Sequence, residues 1–379
     1  MIHEKTAAEA ADKPDTTEEK ESLYLLSHVP GVGAVTLHKI REMFGTFGKA
    51  WHMDSQKLEK TGILKEKQIR ALENIRSSES VIRKQYQSLA EHGILFLAYF
   101  EDDYPDRLKP YRDCPAGLFV KGHLPRAGVP TAAIVGARNC TGYGKEMAEK
   151  LGRELAETGV QIISGLAAGV DSSAHRGCLE AGGETYAVMG CGVNICYPRE
   201  NYGLFSKIET SGGILSEFLP GTPPSAGNFP MRNRILSGLS DAVIVVEARQ
   251  KSGSLITADL ALEQGKEVFA VPGRITDPLS TGCNRLLQMG AAVCLGVEDV
   301  LEFFELKYEK KLTDCKKSEI GLAKIENMVY SSLDSRPKSL DEIVTFCQIS
   351  VAEAFESLMA LEMAGLIYSE GNQYYCRKM

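Results

Sequence analysis

Short apolar runs alternate with amphipathic segments through the middle of the chain. Between residues 130 and 303 the candidate strands are Ala132–Val135, Val160–Ile163, Thr185–Met189, Gly213–Ser216, Ala242–Glu247, Val268–Val271 and Ala292–Leu295. Helical segments such as Gly144–Glu157 and Leu255–Gln264 lie between them. Short strands that are apolar on both faces and separated by helices are typical of a buried parallel sheet. The pattern predicts an α/β fold with a doubly wound, mostly parallel sheet.

The pattern changes on the N-terminal side of this sheet. Residues 1–20 contain almost no large apolar side chain, so we expect a disordered tail there. Residues 21–80 combine apolar helical segments with glycine turns and predict a small all-α domain. Residues 81–125 connect this domain to the sheet, and we predict that residues 81–303 form one extended Rossmann-like domain.

One stretch of the helical domain carries a candidate motif. Val29-Pro-Gly-Val-Gly33 interrupts two helices and resembles a helix-hairpin-helix turn, whose backbone amides contact a DNA phosphate. Leu58-Glu-Lys-Thr-Gly-Ile-Leu64 is a weaker second copy. A glycine break inside a scaffold or SAM-like interaction domain explains the same residues, so both interpretations stay open.

The C-terminal part has a different pattern. Residues 304–320 are rich in charge and predict a linker, whereas residues 321–379 predict a winged helix with three helices and a short hairpin. The third helix, Val351–Ala364, carries three glutamates and no Lys or Arg, and residues 318–379 have a net charge of −4. This sign is wrong for a phosphate-binding surface. We therefore expect the domain to contact protein or to pack on its neighbours.

Composition and charge limit the remaining possibilities. The net charge is −7, so any nucleic-acid site must be a local patch. The ten cysteines form no C-x-x-C pair and predict reduced thiols rather than a metal site or disulfides. No apolar run is long enough to cross a membrane. We expect a cytoplasmic protein without a metal, a cofactor or a membrane partner.

Two glycine-rich turns follow candidate strands. They are Val135-Gly-Ala-Arg138 and Ser164-Gly-Leu-Ala-Ala-Gly169, and a helix is predicted after each. Backbone N–H groups and the positive end of a helix dipole suit a phosphate. Parallel strands would bring both turns to one edge of the sheet. The sequence predicts a site for a polyanion or a nucleotide there, with Arg138 beside it.

Four motifs occur in order along this region. They read V-G-A-R-N-C-T-G-Y-G, S-G-L-A-A-G-V-D-S-S-A-H, N-F-P-M-R-N-R-I-L-S-G-L-S and K-S-G-S-L-I-T-A-D. Together they resemble the DprA/Smf family of DNA-processing proteins. The resemblance implies a homodimer with an extended Rossmann fold that binds and protects single-stranded DNA. It also implies that the protein loads the RecA recombinase onto that DNA during natural transformation and is not an enzyme.

The resemblance also transfers a set of DNA-contacting residues to this chain. The transferred residues are Gly136, Arg138, Ser164, Gly165, Gly169, Phe229, Arg232, Asn233, Arg234, Lys251, Ser252 and Gly253. The cations suit phosphates, and Phe229 suits base stacking, which contributes about 1–3 kcal/mol per base. Asn233 either reads a base edge or holds a loop.

Structural roles explain some of the same residues. Arg232 or Arg234 pairs with Asp241 or Glu247 in that interpretation, and Phe229 belongs to the core. Asp171 is expected to cap a helix rather than to act as a catalytic acid. His175 is expected to be structural or to line the pocket.

Three other functions are alternatives to this interpretation. An NAD(P)-dependent enzyme needs a glycine where Arg138 stands. A nucleotide-processing hydrolase similar to the cytokinin-activating LOG group needs P-G-G-x-G-T and a following glutamate, and here only Asp259 is available as the acid. A protein that acts only as an adaptor for other proteins would not need the four motifs. We expect a non-enzymatic, single-stranded-DNA-binding recombination mediator, with no residues assigned to the dimer or RecA contacts.

Overall fold

The computed structural model describes residues 16–306, 324–334, 337–371 and 373–377. The chain divides into a larger unit, residues 1–307, and a smaller unit, residues 308–379. The predicted linker lies mostly outside the described residues, since only residues 304–306 of it are described.

Six helices precede the first strand of the larger unit. They are α1 (Thr16–Ser27), α2 (Ala34–Phe44), α3 (Phe47–His52), α4 (Ser55–Lys60), α5 (Glu66–Ser77) and α6 (Glu79–Ser88). Leu23 and Leu25 of α1 are fully buried, and the ring of Tyr24 contacts the rings of Phe96 and Phe119 in the sheet. The predicted boundary after residue 80 therefore falls inside α6, and the helices share a core with the sheet.

The start of α1 differs from the expected tail. The tail was predicted for residues 1–20, but α1 begins at Thr16; residues 1–15 lie outside the described residues. Glu19 is buried because its carboxylate accepts the N–H groups of Phe47 (2.8 Å) and Gly48 (3.3 Å) at the start of α3. A charged segment thus forms the first turn of a helix, since the carboxylate of its one buried residue, Glu19, caps another helix.

The first candidate hairpin turn is hydrogen-bonded to α5, the helix that follows the second candidate turn. Gly31 has φ +79° in the first turn, and its carbonyl accepts a hydrogen bond from Nε2 of Gln68 (2.6 Å). Oε1 of the same Gln68 accepts the N–H of Lys65 (2.8 Å) at the start of α5. Arg41 near the first turn forms an ion pair with Glu19 at 3.3 Å. These contacts give the turns a structural role, and their contact with DNA stays a prediction.

A nine-stranded sheet forms the centre of the larger unit. Its strands are β1 (Ile94–Ala98), β2 (Gly117–Gly122), β3 (Thr131–Val135), β4 (Gln161–Ser164), β5 (Thr185–Val188), β6 (Gly213–Ser216), β7 (Ala242–Val245), β8 (Glu267–Ala270) and β9 (Ala292–Val293). The strand order is β1-β2-β6-β5-β4-β3-β7-β8-β9. Among the described strands of this sheet, β2 runs antiparallel to both β1 and β6, and the other neighbouring pairs are parallel. The prediction of a doubly wound, mostly parallel sheet is confirmed.

Both faces of the sheet are buried. Successive residues of one strand enter different cores: Ile214 packs in the core with the N-terminal helices, and Leu215 packs in the other core. Side chains alternate between the faces of a strand, so a strand buried on both faces must be apolar throughout. This explains why the strands were visible as continuous apolar runs.

Helices connect the parallel strands. They are α7 (Gly142–Glu157), α8 (Val170–Glu180), α9 (Tyr202–Ser211), α10 (Asn228–Leu239), α11 (Gly253–Glu263), α12 (Thr281–Gln288) and α13 (Val297–Phe303). The strand order reverses between β3 and β7, because β3 continues to β4 on one side and β7 to β8 on the other. Ligands of doubly wound sheets bind where the loops diverge at such a switch point.

The smaller unit has the predicted helix and hairpin pattern. Its elements are α14 (Lys324–Ser332), β10 (Lys338–Ser339), α15 (Leu340–Cys347), α16 (Val351–Met363), β11 (Ile367–Gly371) and β12 (Tyr374–Arg377). The strands pair in the order β10-β12-β11, and Val329, Ile343, Leu358 and Leu361 form the centre of a separate core. Among the described residues, α15 and α16 reach the length and hydropathy of a membrane span only as a pair bent by 110°, and no single helix does.

Candidate functional site

An open pocket of about 600 Å³ lies at the carboxyl edge of the sheet. Its lining residues come from the turn after β3, the turn after β4, the segment before α10, α10 itself, and the start of α11. The pocket is therefore at the switch point between β3 and β7, where the topology predicts a ligand site.

Two exposed cations border this pocket. Arg138 stands on the turn after β3, and Lys251 stands on the loop after β7. Within the part of the chain that the structure describes, neither side chain forms an ion pair. Cations that the fold has not already neutralised are available to an anionic ligand.

Two aromatic rings line the same pocket. The rings of Tyr197 and Phe229 lie 5.6 Å apart, centroid to centroid, with an interplanar angle of 34°. The guanidinium of Arg138 lies over the Phe229 ring at 5.1 Å. Phe229 is half-buried and Tyr197 is exposed, and a side chain added at Gly190 would collide with the Phe229 ring. The ring thus has a protein-facing side, packed on Gly190, and contributes its remaining surface to the pocket.

The glycine turn after β3 is closed by the protein itself. Glu247, just after β7, accepts the N–H of Thr141 (2.9 Å) and the hydroxyl of Thr141 (2.6 Å). The Thr141 hydroxyl oxygen in turn accepts the N–H of Gly144 (3.1 Å) and caps α7. A buried carboxylate therefore stands where the sequence predicted a phosphate, and a Cβ at Gly144 would collide with it.

The start of α11 has no such carboxylate partner. Ser252 caps α11, with its Oγ 3.4 Å from the N–H of Ser254, and the segment Lys251–Ser254 lines the pocket. Asn233 of α10 donates from Nδ2 to the carbonyl of Gly253 (3.2 Å) and fixes this loop against α10. The positive end of a helix, two hydroxyls and Lys251 thus face one space, which suits a phosphate.

Arg232 lies at the base of the pocket. It is only 5% exposed, and its guanidinium donates to the carbonyls of Val188 and Gly165 (3.0 Å to Gly165) and to Oδ1 of Asn233 (3.2 Å). Burial lowers the pKa of Arg232 from its usual value, which nearby Asp171 partly counteracts. Through its Nη1 group, Arg232 ties α10 to the turn after β4 and to the end of β5.

Asp171 is a buried acid in the same lining. Its Oδ2 accepts the N–H groups of Gly165 (3.1 Å) and Ala167 (3.4 Å), so it shapes the turn after β4. Burial raises the pKa of Asp171, while Arg232 and the two amides act in the opposite direction. Asp171 is the second residue of α8, whose N-cap is Gly169, so the expected role as N-cap is wrong.

Comparison with known proteins identifies the family. The model of DNA recombination-mediator protein A matches residues 95–305, and that of the DprA winged helix domain matches residues 316–372. Protein Smf of Synechocystis is 32% identical over 93% of this chain and 97% of its own length. The chain belongs to the DprA/Smf family. This membership confirms the resemblance found in the motifs and assigns the protein to DNA processing.

Two solved structures of this family resemble the chain. DprA of Streptococcus pneumoniae has a TM-score of 0.67 at 34% identity and covers 76% of this chain and 98% of its own. DprA of Helicobacter pylori has a TM-score of 0.50 at 32% identity and covers 56% of this chain and 95% of its own; that structure is described as showing a single-stranded DNA binding mode. The DprA fold and the C-terminal winged helix are therefore confirmed.

Eight of the twelve residues transferred from the DprA/Smf motifs line the pocket. They are Gly136, Arg138, Phe229, Arg232, Asn233, Lys251, Ser252 and Gly253. Their contact with DNA stays a prediction. The remaining four residues have other positions.

Ser164 and the two glycines of the second turn lie behind the pocket. The hydroxyl of Ser164 is buried and donates to the carbonyl of Ile134 (2.6 Å). A Cβ at Gly165 would collide with the guanidinium of Arg232, and Gly169 has φ +80° with the carbonyls of Ala137 and Arg138 against it. These residues hold the two glycine turns together rather than lining the pocket.

Arg234 is also outside the pocket lining. It forms ion pairs with Glu217 and, at 3.6 Å, with Asp113. Pairing was anticipated for Arg232 or Arg234, but with the wrong acids: Asp241 pairs with Arg107 at 2.9 Å, and Glu247 closes the turn after β3. An ion-paired, largely buried arginine stabilises the fold, so we withdraw Arg234 from the candidate DNA contacts.

Two further candidates have structural positions. His175 is fully buried with its Nδ1 2.7 Å from the Thr185 hydroxyl, and burial lowers its pKa to about 3. Asp259, the acid that a LOG-like hydrolase would need, is exposed on α11 and is absent from the pocket lining.

Some pocket residues were not predicted from the sequence. They are Ala167, Asp171, Tyr197, Pro224, Ala226, Ser254 and Thr257, together with other lining positions. Tyr197-Pro198 also fits the DprA/Smf resemblance, but a single exposed tyrosine carries little signal without its partner Phe229. The segment before α10 has no motif of its own and enters the pocket only through the fold.

Proposed function

We propose that the protein binds single-stranded DNA in the pocket at the switch point and acts as a recombination mediator. In this proposal a cytoplasmic homodimer protects incoming single strands and loads RecA onto them during natural transformation. The relative from H. pylori, whose structure is described as showing a single-stranded DNA binding mode, supports the first step.

The observation that carries the proposal is the combination of two unpaired cations with two adjacent rings. Arg138 and Lys251 border the pocket, and Tyr197 and Phe229 line it. A single strand offers phosphates and unstacked base faces to the same surface, so cations and aromatic rings together suit it. In a duplex the base faces are stacked inside the helix and are not available to Tyr197 and Phe229.

The closure of α7 supports this ligand over a dinucleotide. A pyrophosphate would need the amides at the start of α7, where Glu247 already accepts the N–H of Thr141 and the Thr141 hydroxyl accepts the N–H of Gly144. The open start of α11 and Lys251 instead offer one phosphate position beside the aromatic pair. We infer a strand that passes across the pocket with one phosphate near Lys251 and one base against the rings.

The binding step is tested with Arg138→Ala and Lys251→Ala. Each substitution is expected to weaken binding of a single-stranded oligonucleotide about tenfold, equivalent to about 1.4 kcal/mol. Each should also reduce the slope of log K against log salt by about 0.7, because one phosphate contact is lost. Fluorescence anisotropy at several salt concentrations measures both quantities.

A matched control is Lys150→Ala. Lys150 is an exposed cation in the middle of α7 and is not part of the pocket lining. Its removal should leave binding and the salt slope within about twofold of the parent. If neither pocket variant weakens binding at unchanged stability, or if duplex DNA of equal length binds better, the proposed pocket is wrong.

The RecA step needs a separate experiment. RecA filament formation on single-stranded DNA that is already coated by a single-strand-binding protein is followed with and without this protein. The parent should shorten the lag, and Lys251→Ala should lose this effect in parallel with its DNA affinity. Normal DNA binding without any change in the lag would leave the DNA-binding role intact and contradict the mediator role.

A further inference from the structure

We propose that the third helix of the winged-helix unit, α16, is a docking surface for a basic amphipathic helix of a partner protein. Winged helices commonly place this helix in the major groove of DNA. The side chains of α16 have the opposite chemistry. The proposal does not depend on the single-stranded DNA pocket, because its residues all lie between Ser339 and Cys376.

One side of α16 carries a continuous apolar stripe. Ala354, Leu358 and Leu361 are buried against the rest of the unit. The exposed stripe consists of Val351 (54% exposed), Phe355 (46%), Met359 (47%) and Met363 (86%). Residues four apart on a helix are neighbours, so these side chains form one row. We call this row the α16 stripe.

The length of the stripe separates it from ordinary exposed residues. Single exposed apolar side chains are normal on a protein surface, whereas a contiguous row marks an interaction site. The stripe runs over the thirteen residues of α16, which at about 1.5 Å per residue is about 20 Å long. This is the length of three to four turns of a partner helix, and two of the four side chains are methionines, which adapt to varied partners.

Acidic residues lie within the stripe and along one edge of it. At about 100° per residue, Glu362 falls inside the stripe, between Val351 and Phe355 around the helix axis, and Glu356 falls at its edge, beyond Met363. From Ser339 to Cys376 the sequence contains six Asp or Glu residues and no Lys or Arg. The apolar row therefore has a negatively charged border.

This charge selects one occupant. DNA and anionic membranes are repelled by the border. A second copy of the same face would bring like charges together, which costs several kcal/mol in an interface. A helix with apolar side chains on one face and Lys or Arg beside them satisfies both parts of the surface, as in helix-in-groove recognition.

The test uses the full-length protein with isotope-labelled methionine methyl groups. The probe is a synthetic helical peptide with leucines on one face and lysines on its flanks. Addition of this peptide should shift the NMR signals of Met359 and Met363. The signal of Met231, which is 50% exposed on α10, should stay unchanged. A second peptide with glutamates in place of the lysines should bind at least tenfold more weakly.

Two variants locate the binding. Phe355→Gln and Glu356→Lys each should weaken binding of the lysine peptide about tenfold, because one removes an exposed ring and the other reverses a border charge. Met328→Gln is the matched control, since Met328 is 40% exposed on α14. Phe355→Gln should bind single-stranded DNA normally, and Lys251→Ala should bind the peptide normally. The two proposals can therefore fail separately.

Four outcomes overturn the proposal. The first is equal binding of the two peptides, and the second is binding of neither peptide. The third is that duplex DNA or a second copy of the protein produces the Met359 and Met363 shifts. The fourth is that these methyl groups are already shielded from a soluble paramagnetic agent in the free protein, in which case the chain itself covers the stripe.

Discussion

Two helix N-termini flank the switch point of the sheet, and they differ in what faces them. The start of α7, after β3, is capped by Thr141 and closed by the carboxylate of Glu247. The start of α11, after β7, is capped by Ser252 and opens into the pocket beside Lys251. Both lie at the same edge of one sheet; the loop before α7 contains Gly136, and α11 itself begins with Gly253.

The difference shows that a glycine turn and a helix dipole do not by themselves form an anion site. The segment after β7 determines both outcomes, because Glu247 closes α7 and Lys251, four residues later, borders the open start of α11. The same contrast holds for the cations. Arg234 is neutralised by Glu217, whereas Lys251 has no ion-pair partner among the described residues.

The largest effect on stability is expected from breaking the ion pair between Arg234 and Glu217. Arg234→Gln leaves Glu217 buried without its cation and should lower the free energy of unfolding by about 3 kcal/mol at pH 8. Lys251→Gln, which removes an exposed cation at the edge of the pocket, should change the free energy of unfolding by less than about 0.5 kcal/mol. Urea unfolding of both variants measures the difference.

The same variant should change the pH dependence. Burial raises the pKa of Glu217 above its usual 4.5, and Arg234 acts against this rise. A carboxyl with a raised folded-state pKa contributes stability that is present below its unfolded pKa and is lost as pH rises through the folded pKa. Without Arg234 the folded pKa rises further, so the variant should lose more stability between pH 5 and pH 8 than the parent does. If Arg234→Gln lowers the free energy of unfolding by the same amount at pH 5 and at pH 8, this account of Glu217 is wrong.

A pair of glycine substitutions tests the contrast at the two helix starts. Gly144→Ala places a Cβ against the buried Glu247 carboxylate and should cost about 2 kcal/mol of unfolding free energy. Gly253→Ala meets no atom within 4 Å and should be nearly neutral. Thermal and urea unfolding compare the two directly. Equal losses would mean that the start of α11 is as closely packed as that of α7.

The carboxylate itself is tested by Glu247→Gln. This substitution keeps the size and one acceptor but removes the negative charge at the start of α7, and about 1 kcal/mol of stability should be lost. Inorganic phosphate should then stabilise the variant more than the parent, because an anion can replace the missing charge. A stability that does not respond to phosphate would show that the closure depends on packing rather than charge.

The smallest effect is expected from Asn233, which holds the segment Lys251–Ser254 against α10. Asn233→Ala removes the hydrogen bond to the carbonyl of Gly253 and should weaken single-stranded DNA binding about threefold, since a loop must then be ordered on binding. Anisotropy measures the affinity, and circular dichroism confirms that the fold is kept. Unchanged affinity would limit Asn233 to a structural role.

The fold was predictable where one short segment determines an element. The parallel strands are largely apolar because both faces of the sheet are buried, and α16 (Val351–Met363) ends one residue before its predicted bound, Ala364. The antiparallel direction of β2 was not predictable, because its partner β6 lies far along the chain: Phe119 pairs with Ser216, which is 97 residues later. The first helical turn at Thr16 was missed because Glu19 finds its partners in α2 and α3, which are distant in the sequence pattern.

The sequence motifs identified the residues of the site, but they did not show which of these residues line the pocket and which only stabilise the fold. Arg138, Lys251 and Phe229 were identified from motifs, whereas nothing local distinguishes the paired Arg234 from an unpaired arginine. Glu247 and Thr141 are 106 residues apart in the chain, so the closure of α7 depends on the pairing of β3 with β7. Tyr197 is recognised as a pocket residue only in the folded structure, where its ring lies beside that of Phe229.

Arg232 has a consequence for the kinetics of binding. Its guanidinium joins α10 to the turn after β4 and to the end of β5, and Phe229 lies one helical turn earlier on the same helix. In the proposed binding mode the Phe229 ring is therefore held in place before a strand arrives, and binding needs little backbone rearrangement. Association should then proceed at a rate governed by diffusion and charge steering, with single-exponential kinetics and a strong dependence on ionic strength.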